Sequence, residues 1–163
     1  MKSISLPNDI LIPEIKRIVD EGRTATFRVR GFSMRPFLED RRDKVLLSPF
    51  DKENVRVGDV VLAEISPGTY VLHRVIEKQD GNITLRGDGN VYGVEKCRID
   101  NIIGLVTAFY RKGRKKPDMV TSGKWRVYSA LWPSSPFIRR VLLAFQRRIW
   151  MKLWPVNINE EKN

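Results

Sequence analysis

The segment DVVLAEISPGTYVLHRVI, residues 59–76, holds two β-rich runs, Asp59 to Glu64 and Thr69 to Ile76, on either side of the turn signal Ser66-Pro67-Gly68. Runs of β-branched and aromatic residues broken by Pro-Gly read as an antiparallel hairpin. Working outward, similar pieces recur at Thr24 to Arg30, Lys44 to Leu47, Ile83 to Arg86 and Ile102 to Phe109. Further turn signals stand at Gly58-Asp59, Asp80-Gly81-Asn82 and Gly87-Asp88-Gly89-Asn90. This spacing predicts a mainly β domain, a curled antiparallel sheet or partial barrel. Ahead of it, Pro7 followed by Ile10, Leu11, Ile15, Ile18 and Val19 at helical spacing, ended by Gly22, predicts a short amphipathic helix.

With 163 residues the chain has room for one core and one appendage. A mixture of 42% hydrophobic and 30% charged residues excludes wholesale disorder, collagen and coiled coil. Cys97 and His73 are the only residues of their kinds. An intramolecular disulfide, a cysteine-based zinc site and a multi-histidine metal centre are thereby excluded, and no cofactor is implied. The early apolar residues are interrupted by Pro7, Asn8, Asp9, Pro13 and Glu14, so neither a secretory signal nor a membrane span is expected there.

The net charge of +11 is unevenly spread. Residues 1–110 carry 17 Lys/Arg against 16 Asp/Glu, whereas residues 111–163 carry 13 against 3 and all four tryptophans. This shift, at the charged stretch Arg111 to Pro117, divides the chain into an N-terminal helix (1–22), a β domain (23–110) and a basic, Trp-rich helical tail (111–163). Ser135-Pro136 is a helix start, and the segment runs to Trp154-Pro155. At 100° per residue Ile138, Val141, Leu142, Phe145, Ile149 and Leu153 share one arc, with Arg139, Arg140 and Arg147 opposite and Arg148 at its edge. Such a helix suits the headgroup region of an anionic membrane rather than a span. The alternative is that it packs on the β domain through its aliphatic stripe. Lys124-Trp125-Arg126 with Tyr128, Leu131 and Trp132 has the same character as the lipid-seeking helix.

Chemistry-bearing residues fall in four ordered boxes: Gly31-Phe32-Ser33-Met34-Arg35-Pro36, Gly58-Asp59-Val60-Val61, His73-Arg74-Val75-Ile76 and Gly87-Asp88-Gly89-Asn90. Taken together over roughly Thr24 to Phe109, they resemble the type I signal peptidase and LexA-type superfamily of serine peptidases. The resemblance implies that Ser33 is the nucleophile. Most bacterial members have a lysine base where this chain has His73, so a Ser–His variant of the endoplasmic-reticulum kind is implied, with Asp88 as its assisting aspartate. Many relatives also place a serine hydroxyl two residues before the nucleophile, a position held here by Gly31. Phe32 replaces the small or polar residue common there.

The residue types suit that chemistry. A serine hydroxyl needs a base within hydrogen-bond reach, and imidazole, with a reference pKa near 6.5, is suited to the task. The other ring nitrogen needs an acceptor, for which Asp88 stands first and Asp59 second. Asp59 also reads as a turn aspartate capping backbone amides, Asp88 as an ordinary hairpin-turn residue, and Arg74 as a salt-bridged strand residue. Lys44 is an alternative base. The Ser33 backbone N–H is the natural oxyanion donor, and each such donor contributes roughly 2.7 to 4 kcal/mol of transition-state stabilisation.

The expectation is thus a serine endopeptidase cleaving a precursor or leader peptide, held by its tail on the cytoplasmic face of the membrane. Two other readings compete with it. A LexA-like nucleic-acid-associated regulator would account for the basic tail, although the N-terminal segment is too short for a helix-turn-helix reader and the tryptophans with the aliphatic stripe suit lipid better. A catalytically silent peptide-binding module would keep the fold alone.

Overall fold

The computed structural model describes residues 7–150 and Lys152. Helix α1 (Asn8–Asp20) leads into β1 (Ala25–Arg28), β2 (Lys44–Ser48), β3 (Val60–Ser66), β4 (Thr69–Gln79), β5 (Asn82–Arg86), β6 (Glu95–Arg98), β7 (Ile102–Tyr110) and β8 (Asp118–Met119). Helices α2 (Gly123–Leu131) and α3 (Pro136–Phe145) follow, and a π-helical turn, Gln146–Trp150, prolongs α3. Every pairing is antiparallel, in the order β1-β2-β7-β3-β4-β5-β6, with β8 added to β7. The fold is therefore a mainly β, open sheet with one helix before it and helices after it. All six expected strands form, within a few residues of their predicted limits. β6 and β8 were not expected from the pattern. Leu153 and Trp154, at the predicted end of the last helix, lie outside the described residues.

Alternation along the strands produces two apolar layers. Val60 and Leu62 of β3 join Val45, Leu47 and Phe109 on one face, where α1 lays down Ile12, Ile15 and Val19. Val61 and Ala63, with Val75, Ile83, Leu85 and Ile102, form the layer on the other face. Of the helical stripe read from the sequence, Ile15 and Val19 are buried and Leu11 and Ile18 pack beside them, whereas Ile10 is exposed and Ile12, outside that stripe, is buried in its place. The opposite side of α1 carries ion pairs such as Arg17 with Glu14 and Glu21.

The tail is built onto the domain. β8 pairs with β7 through Ala108↔Met119 and Phe109↔Asp118, across the boundary drawn at residue 110. Trp125, expected to face lipid with its neighbours, is instead 6% exposed in the first layer. Its ring lies 4.6 Å from Phe37 in an edge-on contact and 4.5 Å from Phe109. Trp132 is half-buried and stacks on Tyr128 at 5.5 Å. The reason is capping and spacing: Ser122 accepts a hydrogen bond from the Trp125 N–H and starts α2, which presents Trp125, Tyr128 and Trp132 at helical intervals to the same aromatic group. Trp125→Ala should lower the unfolding free energy by about 3–5 kcal/mol. Urea denaturation would check this, since a tail independent of the core would leave the transition unchanged.

Candidate functional site

β4 carries His73 and Arg74 in succession, so their side chains leave opposite faces of the sheet. Both are buried, at 4% and 6% exposure. They have different partners.

On the first face, Asp88 is fully buried and accepts from Arg74 Nε at 2.8 Å, Arg74 Nη2 at 2.7 Å and the Tyr128 hydroxyl at 2.8 Å. Arg74 also donates to the Gly58 carbonyl at 3.0 Å and to the Ser129 hydroxyl, and its guanidinium lies over the Trp125 ring. Burial works against the Arg74 charge, but the hydrogen bonds and charge of Asp88 outweigh it and hold the guanidinium above its ordinary pKa. Tyr128 is likewise pushed well above its usual value, by burial first and then by the Asp88 charge. The carboxylate of Asp88 is thus committed to Arg74 and Tyr128. Its implied role as the acceptor for His73 is corrected: the strand's alternation places it behind the sheet from the imidazole. Arg74 is the salt-bridged strand residue anticipated.

On the second face the acceptor is Glu95. His73 Nδ1–H donates to Glu95 Oε2 at 2.8 Å. β4 pairs Val75 with Leu85, and β6 pairs Glu95 with Leu85, so Glu95 stands one strand beyond the neighbour of His73 and on its face. An ionised carboxylate only accepts, so this bond assigns a proton to Nδ1, and in a neutral imidazole Nε2 is then the unprotonated nitrogen.

Ser33 is brought to the same end of this face by the glycine turn. Its loop opens with Gly31 at φ +88°, a conformation that favours glycine. The Gly89 N–H then donates to the Ser33 carbonyl at 2.7 Å. A Cβ added to Gly87 would lie 2.3 Å from that carbonyl oxygen, 2.9 Å from Ser33 Cβ and 3.0 Å from the Asn90 side-chain nitrogen. At Gly89 it would lie 2.4 Å from the Phe32 carbonyl. Both positions therefore require glycine because another backbone approaches, not because of a turn angle. The β4–β5 ladder ends at Arg74↔Arg86, and Gly87 follows directly after it. Ser33 and Asn90 thus adjoin Gly87 just beyond the end of this ladder, while His73 and Glu95 pair across β4 and β6.

Among the described residues no hydrogen bond joins Ser33 to His73, and the Ser33 N–H has no backbone acceptor. The expected direct bond is therefore corrected: Ser33 packs against Gly87 and His73 bonds Glu95. Asp59 accepts from the Arg56 N–H at 2.8 Å and caps its turn, as its simpler reading held. Lys44 is exposed on β2, separated from β4 by β7 and β3, which removes it as a base. Glu95 and Asn90 were not singled out from sequence. For Asn90 a signal existed, as it closes the glycine turn; for Glu95, in the polar tetrapeptide Glu95-Lys96-Cys97-Arg98, none did. Exposed Phe32, Tyr92 and Val94 flank these residues along the chain.

Removing the buried Asp88 carboxylate leaves Arg74 uncompensated, so Asp88→Ala should cost about 3–5 kcal/mol of stability, measurable by thermal or urea unfolding. A neutral result would contradict the structural role given to this residue. Comparison with family models, curated proteins and solved structures finds no match to this chain.

Proposed function

We propose that the protein is a serine peptidase of the signal peptidase and LexA type, with Ser33 as nucleophile, His73 as base and Glu95 as the residue that positions the imidazole. The observation that carries this reading is the 2.8 Å bond from His73 Nδ1–H to Glu95, made on the face where Ser33 meets Gly87. In the proposed reaction Ser33 Oγ attacks a peptide carbonyl carbon while its proton passes to His73 Nε2. Glu95 stabilises the imidazolium so formed. Collapse of the tetrahedral intermediate breaks the C–N bond, the proton moves from His73 to the leaving amine, and an acyl-Ser33 ester remains. Water, deprotonated by the same imidazole, then releases the acid and restores the hydroxyl.

The oxyanion draws on the Ser33 N–H and the Asn90 side-chain amide, which lies beside Gly87 and supplies the donor that Gly31 lacks. An extended precursor or leader peptide fits as substrate, since the exposed Phe32, Tyr92 and Val94 offer apolar contacts beside the nucleophile. The four ordered boxes and the mainly β sheet support the family assignment.

A second reading, a silent peptide-binding module, is favoured by the absence of a Ser33–His73 hydrogen bond among the described residues. Nucleophile–base bonds often tighten only around substrate, which is why the peptidase reading is preferred. A fluorophosphonate probe should acylate the protein at Ser33, located by peptide mass spectrometry. Labelling should vanish in Ser33→Ala, slow by about 10²–10⁴-fold in Glu95→Gln, and slow by about 10²–10³-fold in Asn90→Ala. Folded wild-type protein that stays unlabelled would favour the binding module.

A further inference from the structure

Helix α3 is set on the domain inside out. Its one buried residue is Arg139, 3% exposed, which donates to the carbonyls of Pro133 at 2.6 Å, Asn90 at 2.9 Å and Gly87 at 3.3 Å. Burial, and then the nearby Arg86 charge, depress the Arg139 pKa below its ordinary value. On the opposite side Phe137, Ile138, Val141, Leu142 and Phe145 all face outward, from 41% exposure at Leu142 to 75% at Phe137. At 100° per residue these five occupy an arc of about 140°. Ile149 in the following π-helical turn is also exposed. The aliphatic stripe therefore does not pack on the sheet. The alternative weighed from sequence is reversed, with an arginine turned in and the apolar residues turned out.

We infer that this arc docks on an anionic lipid surface. Charge decides between lipid and a second copy of the chain. Arg126, Arg140, Arg147 and Arg148 are exposed on or beside the helices, and no Asp or Glu occurs between Asp118 and Glu160. Pairing two copies through α3 would set arginine against arginine, whereas acidic headgroups complement them while the acyl boundary takes the apolar arc. Docking is in the interfacial plane, since no helix among the described residues is long and apolar enough to cross a membrane. Arg139 ties α3 to the glycine turn that seats Ser33, so docking fixes the height of that turn above the headgroups. That last consequence alone rests on the peptidase reading.

The test is cosedimentation of the full chain with phosphatidylcholine vesicles with and without phosphatidylserine, across a salt series. Phosphatidylserine should raise partitioning at least about tenfold, and the gain should decline with salt. The exposed pair V141D/F145D should lose at least about tenfold of it, with circular dichroism and thermal unfolding unchanged. R147E/R148E should lose the preference for phosphatidylserine, and Ser33→Ala should bind like the wild type, separating this inference from the peptidase reading. Absence of binding to phosphatidylserine vesicles, or binding that V141D/F145D leaves intact, overturns it. Concentration-dependent self-association abolished by V141D/F145D, without vesicle binding, also overturns it and assigns the arc to a second copy.

Discussion

Two consecutive residues on a strand cannot face the same way, and at His73 and Arg74 this rule separates two kinds of chemistry. Arg74 looks into the layer built by Phe37, Phe109, Trp125 and Tyr128, where its charge is matched by Asp88. His73 looks into the other layer, toward Glu95. Arg74 and His73 thus each have their own carboxylate, and the sheet stands between them. Exchanging partners would require one side chain to pass through the sheet.

The Arg74–Asp88 pair also governs what happens on the far side. A buried ion pair is weak evidence for net stability, because desolvation offsets much of the attraction, but it strongly penalises arrangements that leave either charge alone. Here Asp88 accepts three hydrogen bonds and so fixes the turn between Gly87 and Gly89. That turn in turn receives the backbone of Phe32 and Ser33 at distances no side chain would permit. Arg139 reaches the carbonyls of the same turn from α3. The aspartate implied to act on the imidazole instead anchors the turn against which the Ser33 backbone packs.

The sheet was largely legible in the sequence because its inner strands are apolar on at least one face and are separated by Gly, Pro and Asp turns. β6 was not, since Glu95-Lys96-Cys97-Arg98 is a short polar edge strand with no hydrophobic alternation to betray it. Glu95 was lost with it. Ser33 and His73 were singled out from their ordered boxes; the structure packs Ser33 against Gly87 and pairs His73 with Glu95. Asp88 was found for its position in a box but assigned to the wrong neighbour, because nothing in the sequence order tells which face a turn residue will serve. The tail was misread in part for a similar reason. Composition located its arginines, tryptophans and aliphatics correctly, but only packing shows Trp125 and Arg139 inside and Val141 and Phe145 outside.

The claim on which the account turns is that Glu95, not Asp88, holds the proton of the imidazole on Nδ1. Nitrogen-15 and proton NMR of the single histidine measures it directly. The account predicts a low-field proton on Nδ1 in the wild type, absent or shifted far upfield in Glu95→Ala protein that remains folded. A neutral imidazole protonated on Nε2, or an Nδ1 proton whose resonance is indifferent to loss of the Glu95 carboxylate, would contradict it.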